Sequence, residues 1–143
     1  MLKPDYIHLE PGAAALPELP VRPYRMVIVA NQAVDTEWRN GVAAWVAAIG
    51  SLYVITWGVD CRDWHDAVDW ANLDAFDYGS VPDERHIVTT WHDDEPLYEA
   101  FWFAGHCAEH PDVELEATLI LHVAQAESGA ELLRQFEESQ DNH

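Results

Sequence analysis

Apolar residues along this chain gather into short unbroken runs separated by stretches with helical spacing, and the alternation becomes regular from Tyr24 onward. The run Met26-Val27-Ile28-Val29-Ala30 has no polar position, as expected of a strand covered on both faces. Asp35 then stands where a helix N-cap belongs, with Trp38, Val42, Trp45, Val46 and Ile49 on one stripe and Gly50 as the stop. A second strand is predicted over Leu52-Tyr53-Val54-Ile55-Thr56-Trp57. A second helix enters near Asp63, places Trp64, Val68, Ala71 and Ala75 on one face and ends around Phe76 to Gly79. The β-branched stretch His86 to Trp91 predicts a third strand, and Asp93-Asp94-Glu95-Pro96 predicts an acidic, proline-started third helix that buries Leu97, Phe101, Ala104 and Ala108. Pro111 stops it, Leu115 to Val123 forms the fourth strand, and the capping box Ser128-x-x-Glu131 opens a last helix carrying Leu132, Leu133 and Phe136.

Four strands alternating with four helices predict an α/β fold: one three-layer, Rossmann-like domain over residues 24–143, with a four-stranded parallel sheet and right-handed crossovers. The expected order, in strand numbers along the chain, is 2-1-3-4. Residues 1–23 carry Pro4, Pro11, Pro17, Pro20 and Pro23 and read as an extended N-terminal arm lying on the domain. In a doubly wound sheet a ligand sits beyond the C-terminal strand ends where the order reverses, here between the first and third strands. The crevice candidates are therefore Asn31, Gln32, Trp91, His92, Asp93 and Asp94, with Asp60 and Cys61 nearby.

Three stretches carry a resemblance: Leu52-Tyr53-x-x-x-Trp57-Gly58-x-Asp60-Cys61, then Ala71-Asn72-Leu73-x-Ala75-Phe76-Asp77-Tyr78-Gly79, then Thr89-Thr90-Trp91-His92-x-Asp94-Glu95-Pro96-Leu97. They are similar to an uncharacterised bacterial domain family, and the likeness continues through Phe101-Trp102-Phe103 and His110-Pro111 to Leu119-Ile120-Leu121-His122. It implies a small bacterial α/β protein with no assigned activity, and it transfers no catalytic residue.

Charge narrows the partners. The 143 residues hold 26 acids against 7 Lys and Arg, a formal net charge of −19, and Lys3 is the sole lysine. Such a field repels nucleic acid and anionic lipid and attracts cationic surfaces, so the expected partner is a basic protein, with neither nucleic acid nor membrane. A salt-rich cytoplasm would favour the same acidity. No apolar run reaches membrane-spanning length and no secretory pattern opens the chain, which points to the cytoplasm. Cys61 and Cys107 provide no disulfide framework.

The motifs stop short of a catalytic set. The turn after the first strand, Asn31-Gln32-Ala33-Val34-Asp35, lacks the glycines that let backbone N–H groups approach a pyrophosphate, so no nucleotide cofactor is expected although Asp60 stands where a ribose-binding acid would. Nor does it resemble a phosphoreceiver, since Asn31 replaces the acid and no late lysine exists. His106 and His110, four apart on the third helix, form half of a metal site without a third ligand, and no bound metal is expected. Cys61 near a helix N-terminus has Asp60 and Asp63 beside it, which oppose thiolate formation, and His65 one turn on as its available base. Trp70 and Trp102 fall off the apolar stripes of their helices and are candidates for an interaction surface. The function expected is a non-enzymatic acidic protein-interaction module; the alternative is a small metal-assisted hydrolase using His92, Asp93 and Asp94.

Overall fold

The computed structural model describes residues 2–141. Five parallel strands form one sheet: β1 (Asp5–Leu9), β2 (Tyr24–Ala30), β3 (Ser51–Gly58), β4 (Val88–His92) and β5 (Ala117–Val123). Four helices connect or follow them: α1 (Thr36–Ala48), α2 (Cys61–Asp74), α3 (Leu97–His106) and α4 (Gly129–Asp141). The apolar side chains of α1 and α2, among them Val42, Val46, Trp64 and Val68, cover one face of the sheet together with Met26, Ile28 and Val54. On the other face Phe101 of α3 and Leu132 and Phe136 of α4 pack on Val27, Val29, Ile55 and Ile120. Ile28 and Ile120 are 0% exposed, as central-strand positions should be. Among the described residues no helix is long and apolar enough to cross a membrane.

The α/β class, the parallel sheet and the four helices agree with the sequence. The strand count and order do not. The order is β1-β5-β2-β3-β4, so the four expected strands lie 4-1-2-3 rather than 2-1-3-4, with a fifth strand outside them. The chain steps outward twice in the same direction, from β2 to β3 to β4, before α3 carries it back across the other face to β5, next to β2. Reversal therefore falls between β2 and β5.

The segment expected as an arm supplies the fifth strand. Pro4 and Pro11 lie just outside β1, where proline costs no ladder bond, and β1 pairs with β5 from Asp5↔Leu119 to Leu9↔Val123. The chain between β1 and β2 is pinned along α1: the indole N–H groups of Trp38 and Trp45 donate to the carbonyls of Ala13 and Pro17, both at 3.0 Å, and the Tyr24 hydroxyl donates to Pro20.

Local starts and stops differ in detail. Asp35 sits at the N-cap of α1 without a side-chain cap bond. At α4 the Gly129 N–H is taken by Glu127 at 2.9 Å, while Glu131 turns to Arg134 and Gln135 instead of completing a capping box. Helix α3 begins only after Pro96 and ends at His106, before Pro111.

Candidate functional site

Strand order decides which residues meet. The sequence places Asn31 and His92 in one crevice, but Asn31 follows β2 and His92 closes β4, with β3 between them. The two halves of the expected site are separate places.

At the actual reversal point the strand ends are filled from within. His122, next to last in β5 and 2% exposed, donates its Nε2–H to Asn31 Oδ1 and accepts the Tyr6 hydroxyl at Nδ1 over 2.6 Å. Tyr6 Oη in turn accepts the Ser128 N–H at 2.9 Å. Beside it, His8 Nε2–H donates to the Ala124 carbonyl at 2.7 Å. Burial lowers the pKa of His122 below the ordinary imidazole value, and His8 adds to that, against Glu127; burial likewise raises that of the Tyr6 hydroxyl. This neutral chain of hydrogen-bonded groups ties β1, β5 and the end of β2 together at the reversal point. None of Tyr6, His8 and His122 is a site candidate from sequence; the signal for the two histidines is their position inside apolar runs.

Beyond the ends of β3 and β4 lies an open depression of about 470 Å³ lined by Trp57, Gly58, His92, Asp93, Asp94, Glu95 and Pro96. Its lining includes His92, Asp93 and Asp94 together with Glu95. Both His92 nitrogens are engaged: Nδ1–H donates to the Glu95 carboxylate, and Nε2 pairs with the Thr90 hydroxyl at 2.9 Å. The ring rests edge-on against Phe103, and Trp57 Nε1–H holds the Glu95 carbonyl at 2.8 Å. Asp94 adopts a left-handed φ of 57° in the turn and is not the cap of α3, a place taken by Pro96.

The remaining candidates are dispersed. Gln32 is half-buried and Asp60 is exposed at the N-cap of α2 with a left-handed φ of 55°. Cys61 opens α2 but is buried; burial raises its thiol pKa and Asp93 adds to the effect, despite a main-chain bond from His92. That is the environment of an inert thiol. His106 and His110 do not share a helical face, because α3 stops at His106. His110 is buried beyond it, bonded through Nε2 to the His86 carbonyl and through Nδ1 to the N–H groups of Asp112 and Val113. Among the described residues, one group of three has donor atoms within 4.8 Å of one another: His65, Asp66 and Asp69. In the sequence His65 stands out only as a base within reach of Cys61, not as part of this group. His65 faces Asp66 through Nδ1 and Asp69 through Nε2, while Thr89 donates to the other Asp69 oxygen at 2.6 Å.

The outer side of α2 is different in character. Trp70 is 61% and Tyr78 59% exposed, their rings lie 6.0 Å apart, and Leu73, between them in sequence, is exposed as well. Asp66, Asp69, Asp74 and Asp77 flank these residues along the chain. Trp91 on β4 is exposed too, with the Arg62 guanidinium 5.4 Å from its ring centre and His65 edge-on against it. Trp102, by contrast, is half-buried and stacks on His106 at 4.9 Å.

Residues 4–139 match the model of a family described as a domain of unknown function, DUF7684. No curated protein and no solved structure matches the chain.

Proposed function

The chain belongs to that family of unknown function, and from its own geometry we propose that it is an acidic protein-interaction module that docks on a basic partner protein. The observation that carries this reading is the contrast between its two surfaces. At the strand-end crevice, where a doubly wound sheet would hold a substrate, Tyr6, His122 and Asn31 are spent on hydrogen bonds to one another. The side of α2 instead exposes Trp70, Leu73 and Tyr78 amid aspartates. Exposed aromatic side chains supply the apolar anchor of an interface, and the net charge of −19 supplies the long-range attraction for a cation-rich surface.

The open depression at His92 offers a second reading, a small hydrolase, because it collects three carboxylates around one imidazole. Against it, both ring nitrogens of His92 have partners and the hollow is not enclosed. One experiment separates the two. In affinity capture from the native host with three baits, the wild type and the His92→Ala/Asp93→Asn double variant should retain the same basic protein, and Trp70→Ser with Tyr78→Ser should lose it. Loss with the His92 variant and retention with the aromatic variant would reverse the assignment.

A further inference from the structure

Among the described residues the sheet has an unpaired edge beside that aromatic face. Strand β4 is last in the order and pairs, among those residues, with β3 alone, from Tyr53↔Val88 to Trp57↔His92 with no shift in register. Its five residues, Val-Thr-Thr-Trp-His, include no proline, no lysine and no bulge, three of the devices that blunt an edge. The opposite edge, β1, is framed by Pro4 and Pro11 and by the charges of Lys3 and Asp5.

The direction of the β4 backbone follows from one bond. The Thr90 carbonyl points toward β3, where it accepts the Thr56 hydroxyl at 3.1 Å. Because successive peptide groups alternate in direction along a strand, the N–H and C=O groups of Thr89 and Trp91 point away from the sheet. On the α2 side of this strand Asp69 accepts the Thr89 hydroxyl at 2.6 Å, Asp66 shares His65 with it, and His65 lies against Trp91; Asp93 and Asp94 follow directly on the strand's last residue. Trp91, 41% exposed, projects from the strand itself.

We infer that the β4 edge is a strand-addition site that takes an extended, lysine- or arginine-bearing segment of the partner as a sixth strand. This rests on the docking reading and makes it specific. Main-chain bonds to Thr89 and Trp91 provide the register, the aspartates beside the edge and at its end outnumber the nearby cation, Arg62, and select cationic side chains, and the part of Trp91 left exposed beside Arg62 packs against the segment's aliphatic stems. A second copy of the chain would complete the edge equally well in hydrogen bonds, but it brings another −19 charges to the same place.

The probe is a synthetic peptide alternating lysine with valine, added at low salt to the isotopically labelled full chain. Amide exchange at Thr89 and Trp91 should slow at least about tenfold on binding. Thr89→Pro, which removes an outward N–H and leaves those turned to β3, should weaken the peptide by at least about tenfold with the thermal midpoint kept. Trp91→Lys, which places a like charge on the edge, should do the same and decides the matter if the proline variant fails to fold. Peptide binding that moves signals at Trp70 and Tyr78 without protecting Thr89 and Trp91 overturns the edge assignment and leaves the docking reading standing. No response anywhere in the protein contradicts both, and β4 protection in peptide-free, concentrated protein would assign the edge to a second copy.

Discussion

Buried at the end of the sheet, His122 holds a strand in place by staying neutral. Its Nδ1 accepts from Tyr6 and its Nε2–H donates to Asn31, and a proton added to Nδ1 would break the first of these bonds. The folded pKa is depressed, by burial first and His8 second, so below the ordinary value the unfolded chain binds the extra proton more readily than the folded one. The stabilisation from this group is thus fully present above about pH 6.5 and is lost as the pH falls through the folded pKa. His122→Phe, of similar bulk and unable to titrate, leaves the Tyr6 hydroxyl and Asn31 without their partner and should cost about 1–3 kcal/mol near neutrality. In urea unfolding compared at about pH 8 and about pH 5, the gap between wild type and variant should narrow at the lower pH. A gap that stays constant would mean that His122 does not titrate with folding.

At the scale of elements, the ends of β2 and β3 approach so closely that one side chain would part them. Gly58 has a φ of 104°, and a Cβ there would lie 2.1 Å from the Ala30 carbonyl oxygen, which accepts the Val59 N–H at 2.9 Å. Gly58→Ala should lower the unfolding free energy by at least about 1–3 kcal/mol, the cost of the backbone strain alone, in chemical denaturation. The same elements explain what could be read in advance. Every helix and four strands are legible because their apolar spacing is local. Order is not, since nothing in one strand's own pattern names its neighbour. A closer clue exists in composition: β5, with Leu119-Ile120-Leu121 buried, has the character of a central strand, and β4, with Thr89, Thr90 and His92 and no fully buried position, that of an edge. Strand β1 is hidden because prolines close on both sides make its five residues look like part of an irregular arm. With the order misplaced, the expected crevice joins Asn31 to His92 across β3, and Asn31's true neighbours at the reversal point, His122 and Tyr6, stay out of view.

For the whole molecule the dominant quantity is charge. Twenty-six acids on a chain of 143 residues create a field that acts before any contact forms, and in the docking reading proposed above the exposed Trp70, Tyr78 and Trp91 are where that field would deliver a partner. Long-range attraction of this kind governs the association rate and is screened over about 10 Å at 0.1 M salt, whereas the contacts made afterwards govern dissociation. The most direct measurement is the association rate constant between this protein and the basic partner retained by the wild-type bait, followed as salt is raised. Docking through the acidic, aromatic side of α2 predicts a rate that falls by at least about tenfold between low and high salt with little change in dissociation, and Trp70→Ser with Tyr78→Ser that speeds dissociation instead. An association rate indifferent to salt, with a dissociation rate indifferent to the aromatic substitutions, would contradict it.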